Sequence, residues 1–97
     1  MNYLEKSSWE ATQQNEIQYR SGNLANVGKL IKSFQKTFYE GTTIIRSIHN
    51  LDKLFFVITT IESDSNYAES QDRCVLSLSD AEDYLIELCE KDDMRYF

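Results

Sequence analysis

The chain has 97 residues, a formal net charge of −6, a 41% apolar share and twelve Phe, Trp and Tyr residues. That composition excludes a disordered chain and suits one folded domain with a single core. Its longest apolar run, Leu54-Phe55-Phe56-Val57-Ile58, has five residues, far short of the roughly 20 that a membrane helix needs. Charge is divided by position: residues 1–50 balance at +2 and residues 51–97 at −8, with eleven carboxylates between Glu62 and Asp93 facing Arg73 and Lys91. A field of that sign attracts basic surfaces and repels nucleic acid.

Residues 1–22 carry competing signals. Ser7-Ser8-Trp9-Glu10 resembles a helix cap, whereas Glu16 to Arg20 alternates like a strand with Ile17 and Tyr19 on one side. From Asn23 to Glu40, Leu24, Val27, Ile31, Phe34 and Phe38 recur at 3-4 spacing, which predicts a helix with Asn23 as N-cap, Gly41 as terminator and Lys29, Lys32 and Lys36 outward. Thr42 to His49, rich in β-branched residues, reads as a strand, and Asn50 to Lys53 as a turn. Leu54 to Glu62 is the strongest strand. Leu54, Phe56 and Ile58 point one way, and Phe55, Val57 and Ile61 the other.

Ser63 to Asp72 is polar and acidic and reads as a solvated loop. Arg73 to Leu78 predicts a short strand with Cys74, Leu76 and Leu78 inward. Ser79-Asp80-Ala81-Glu82 fits a capping box, opening a helix that buries Ala81, Tyr84, Leu85, Leu88 and Cys89 and frays near Asp92. The expected architecture is a single α+β domain over residues 1–97, with core order α-β-β-β-α: an antiparallel sheet of three to four strands with helices on one face.

The final helix carries the sharpest pattern. Asp80, Asp83, Glu87 and Glu90 fall at i, i+3, i+7 and i+10, a row about 15 Å long in steps of roughly 5 Å at the helical rise. That repeat is comparable to phosphates along one nucleic-acid strand. Glu62, Asp64, Glu69 and Asp72 flank it in sequence. An acidic helix face ordinarily does no more than solubilise, yet no lysine relieves this row before Lys91. Among Tyr3, Trp9, Tyr19, Phe55 and Tyr67, the two set among polar residues, Trp9 and Tyr67, are the expected contact anchors.

Other chemistry is poorly represented. Asp64-Ser65-Asn66 begins like a calcium loop, but Val75 stands where the bidentate Glu belongs. His49 is the sole histidine, and Gly22, Gly28 and Gly41 cannot build a phosphate loop. Cys74 and Cys89 match no metal or redox spacing and read as buried free thiols. With a polar stretch from Met1 to Arg20, they point to a reducing compartment, most simply the cytoplasm. No cofactor, metal or catalytic residue is expected.

The order helix, three strands, helix resembles that of the double-stranded RNA-binding domain, in topology alone. That resemblance implies a basic cluster opening the last helix, where this chain has Asp80, Glu82 and Asp83. Direct nucleic-acid binding is therefore not expected. The reading that fits best is a small non-enzymatic acidic inhibitor, a nucleic-acid mimic docking on the basic site of a partner protein. In size and charge the chain resembles immunity proteins, antitoxins and phage anti-restriction or anti-CRISPR proteins. The expected partner-binding residues are Asp80, Asp83, Glu87, Glu90, Glu69, Asp72, Trp9 and Tyr67. The alternative is a homodimeric structural or adaptor subunit joined through Phe55, Val57 and Ile61, because one helical layer cannot cover both faces of an apolar strand.

Overall fold

The computed structural model describes residues 3–12, 27–38, 41–64 and 66–96. In chain order these form α1 (Tyr3–Lys6), β1 (Glu10–Ala11), β2 (Lys29–Thr37), β3 (Thr43–Leu51), β4 (Leu54–Ser63), β5 (Asn66–Val75) and α2 (Leu78–Tyr96). The five strands make one sheet whose spatial order equals the chain order, and every neighbouring pair is antiparallel. The fold is broadly α+β and mostly sheet, with more strands and less helix than the pattern implied. The strand expected over Glu16–Arg20, the proposed cap Asn23 and Leu24 lie outside the described residues.

The predicted helix over 23–40 is corrected: residues 29–37 are a strand. Gly28 has φ +84°, and a Cβ there would strike the carbonyl oxygen of Asn50, so the chain enters β2 in a conformation no helix allows. A bulge between Leu30 and Lys32 shifts the alternation. Lys32, Phe34 and Lys36 then share the face toward α2, while Ser33 and Gln35 take the opposite one. Pairing along β3 supplies non-local hydrogen bonds that outweigh a modest helical preference. With a strand in that place, the topological resemblance to the RNA-binding domain lapses.

The two hairpins that follow agree better with the pattern. β3 and β4 pair from Thr43↔Glu62 to Leu51↔Leu54. Asp52 takes φ +55° in the turn, and the Asn50 amide donates to the carbonyls of Asp52 and Leu54, each at 3.0 Å. Gly41, expected to end a helix, lies instead between β2 and β3, where its N–H donates to the Phe38 carbonyl at 2.8 Å. The acidic loop over 63–72 is corrected to a strand: β5 pairs with β4 from Ser63↔Asn66 to Phe55↔Val75. The segment contains neither Gly nor Pro to stop it. A bulge places Gln71 opposite Ile58 and Arg73 opposite Val57, leaving Asp72 as the extra residue. That shift reverses the expected parity, so Val75 rather than Cys74 packs on the core, and Cys74 and Leu76 are exposed.

α2 opens two residues before the expected capping box. Ser77 is the N-cap: its Oγ accepts from the Asp80 N–H at 3.1 Å, and its carbonyl from Ala81 at 3.2 Å. The helix buries Ala81, Leu85 and Cys89 against Ile44, Ile48 and Val57, with Leu4, Trp9 and Phe38 closing the cluster. On the other face, Phe56 and Ile58 pack with Val27. Both faces of β4 are thus used, as its doubly apolar sequence implied. Among the described residues, no helix is long and apolar enough to cross a membrane.

Candidate functional site: the two sides of the acidic helix

With Ala81, Leu85 and Cys89 facing the sheet, a turn of 3.6 residues puts Asp80, Asp83, Glu87 and Glu90 on the far side of α2. All four are exposed. Glu87 meets Lys91 one turn on, Nζ to Oε2 at 3.5 Å, a contact worth a few tenths of a kcal/mol at such a surface. Asp80, Asp83 and Glu87 line one shallow groove between α2 and β5, together with Arg73, Val75 and Tyr84. Arg73 is the cation among these lining residues, and its guanidinium carbon stacks 4.2 Å from the Tyr84 ring centroid.

Carboxylates on the sheet-facing side of α2 behave otherwise. Glu82 pairs with Lys32 of β2. Asp92, 5% exposed, takes the Arg46 guanidinium of β3, with Nε at 2.7 Å and Nη2 at 2.6 Å. Asp93 accepts from Lys36 at 2.5 Å, from the Trp9 indole N–H at 3.2 Å and from the Tyr3 hydroxyl. Arg46 also reaches Thr59 Oγ1 at 2.5 Å and lies 3.8 Å from Asp72 of β5, and Thr59 bonds Asp72 in turn. These contacts explain why α2 runs on to Tyr96 instead of fraying at Asp92.

The expected site residues therefore separate. Asp80, Asp83, Glu87 and Glu90 come together on one exposed face. Asp72 is committed to Arg46 and Thr59, and Glu69, opposite Thr60 in the register, lies on the other face of the sheet with Oε2 buried. Trp9 is corrected from surface anchor to core residue: it is 5% exposed and packs edge-on against Phe38, ring centroids 6.0 Å apart. Tyr67 is 52% exposed on β5. Of the alternative dimer set, Val57 is sealed beneath α2, Phe55 packs half-buried on the same cluster, and Ile61 remains 36% exposed. His49, expected beside a turn, is buried within β3.

Sequence reasoning missed the pairing of Lys32, Lys36 and Arg46 with the acidic half. The signal was present as the positive balance of residues 1–50, but a helical reading turned the two lysines to solvent. Among the described residues, no group of three or more His, Cys, Asp or Glu is placed to hold a metal ion. No protein-family model matches the chain, and it has no significant match to a curated protein or to a solved structure.

Proposed function

We propose that this protein is a non-enzymatic binding protein that docks the outer face of α2 on a basic surface of a partner protein, as an inhibitor of a nucleic-acid-handling partner would. One observation carries the reading. The fold uses Lys32, Lys36 and Arg46 of the basic half internally, on Glu82, Asp93, Asp92 and Asp72, and leaves Asp80, Asp83, Glu87 and Glu90 exposed together. Like charges at i,i+3 and i,i+4 repel by a few tenths of a kcal/mol per pair, so the row costs some helix stability. It also gives fast, salt-sensitive association with a complementary surface. Glu69, Asp72 and Trp9 drop out of the proposed contact set, and so does Tyr67, which shares the sheet face of Glu69.

The test is capture from a lysate at low salt, followed by competition. A basic nucleic-acid-handling protein retained at low salt, released by high salt and displaced by its own nucleic acid supports the reading. The triple reversal Asp83→Lys, Glu87→Lys, Glu90→Lys, on a chain that still folds, should abolish retention. Retention that ignores both salt and the reversal would remove it.

A further inference from the structure

Among the described residues β5 is an edge of the sheet: its partner is β4, and no backbone hydrogen bond reaches the outer side of Ser70–Leu76. The ladder itself shows which groups are left over. Leu51↔Leu54 closes a two-residue turn and is a hydrogen-bonded pair, so alternate residues of β4 from Leu54 onward bond β3. Phe56 belongs to that set. Its neighbour on β5, Cys74, therefore turns its N–H and carbonyl away from the sheet. Ser70, Gln71, Arg73 and Cys74 are all exposed. Edges are commonly guarded by proline, lysine or a short length. β5 runs ten residues without proline, glycine or lysine, and its guards are the bulge at Asp72 and the charge of Arg73.

The groove beside this edge has a sign. Arg73 and Val75 line it from β5, and Asp80, Asp83 and Glu87 line it from α2. Arg73 lies on the Tyr84 ring and Lys91 touches Glu87, so three carboxylates meet one cation inside the groove and one at its rim. A strand laid outside β5 would sit about 5 Å farther from β4 and turn alternate side chains to the α2 side, about 7 Å apart. Asp83 and Glu87 are about 6 Å apart along the helix, a comparable step. A second copy suits this edge poorly. Two β5 strands paired about a two-fold axis would bring one acidic row beside the other, and like charges so juxtaposed repel.

We propose that β5 takes up an extended segment of the partner protein, with Lys or Arg at every second position, as a further strand of the sheet. The inference rests on the reading of α2 as a docking face and gives the partner's contact a shape. Main-chain bonds along the outer side of Ser70–Leu76 supply affinity, and basic side chains on Asp80, Asp83 and Glu87 select the segment.

The probe is a synthetic eight-residue peptide alternating Lys with Thr, compared with the same peptide N-methylated at every backbone amide, which keeps the charge and loses every donor. At low salt, the first peptide should protect the Cys74 amide from hydrogen exchange and shift amide resonances along Ser70–Leu76 and α2. The methylated peptide should bind about tenfold more weakly or worse. Asp83→Lys with Glu87→Lys should weaken the first peptide by about tenfold or more. Equal binding of both peptides, with changes confined to α2, would overturn strand addition and leave the α2 docking face standing. So would the failure of both peptides where capture from a lysate succeeds. Protection of Cys74 that grows with protein concentration, without peptide, would give the edge to a second copy and overturn the proposal. Failure of the peptides and of the capture together would remove both readings.

Discussion

Asp92 and Asp93 are adjacent in α2 yet grip different strands: Asp92 meets Arg46 of β3, and Asp93 meets Lys36 of β2. Their titrations are displaced in opposite directions. Burial raises Asp92 above the usual carboxylate range and outweighs the attraction of Arg46. Burial also pushes Asp93 upward, but the hydrogen bonds from Lys36, Tyr3 and Trp9, with the Lys36 charge, prevail and hold it below.

A pH prediction follows from those signs. Asp93 ionises more readily folded than unfolded, so its contribution is present above the unfolded value of about 4 and is lost as pH falls through the lower folded value. Asp92 does the reverse: folded, it takes its proton first, so stability rises as pH falls through its raised folded value. Lys36, Arg46, Tyr3, Cys89 and Arg95 surround the pair. Urea midpoints measured across pH should show Asp93→Asn losing least, relative to wild type, in strong acid, and Asp92→Asn flattening the rise that wild type shows as pH falls through the raised Asp92 value. Parallel profiles for all three proteins would contradict this assignment.

Arg46 is the buried centre of the cation network. Arg46→Met leaves Asp92 facing an apolar side chain under the helix and should cost about 3–5 kcal/mol in chemical denaturation. Arg46→Met with Asp92→Leu removes both charges and should recover much of the loss. A double variant no more stable than the single one would show that the two side chains do not act as a pair.

The position of the helix cap is equally checkable. Ser77→Ala should lose about 1 kcal/mol, because Ser77 Oγ accepts from the Asp80 N–H. Ser79→Ala, two residues past the cap and exposed, should stay within about 0.5 kcal/mol of wild type. Reversed sensitivities would restore the capping box at Ser79.

Two glycines share a positive φ and differ in surroundings. At Gly41, with φ +91° and open space around it, alanine meets only the left-handed penalty of about 1–2 kcal/mol. At Gly28 the added carbon also strikes the Asn50 carbonyl and the Leu51 side chain, so Gly28→Ala should be the more damaging in thermal unfolding.

What could be read from sequence follows the range of the interactions. β3, β4 and the buried face of α2 were legible because their patterns are local and their apolar residues face a single neighbour or two. β2 was not: Val27, Ile31, Phe34 and Phe38 fit a helical period, and only the bulge at Leu30–Lys32 and the partners of Lys32 and Lys36 reveal the strand. β5 hid for a different reason. A strand at the edge of the sheet among the described residues needs little apolar sequence, and its bulge at Asp72 breaks the alternation that would have marked it. The acidic row of α2 was legible as spacing, but which carboxylates are engaged depends on the sheet, and so Asp72 and Trp9 were misjudged.

Because spatial and sequence order coincide in the sheet, each strand of the three large hairpins finds its partner with little loop to close. The bonds from Tyr3 and Trp9 to Asp93 instead join residues 90 and 84 positions apart. Assembly should accordingly begin at the hairpins and finish where the two ends meet. Substitutions in the β3–β4 hairpin are expected to slow refolding, whereas those at Tyr3 should leave refolding rates alone and hasten unfolding, a contrast that stopped-flow chevrons resolve.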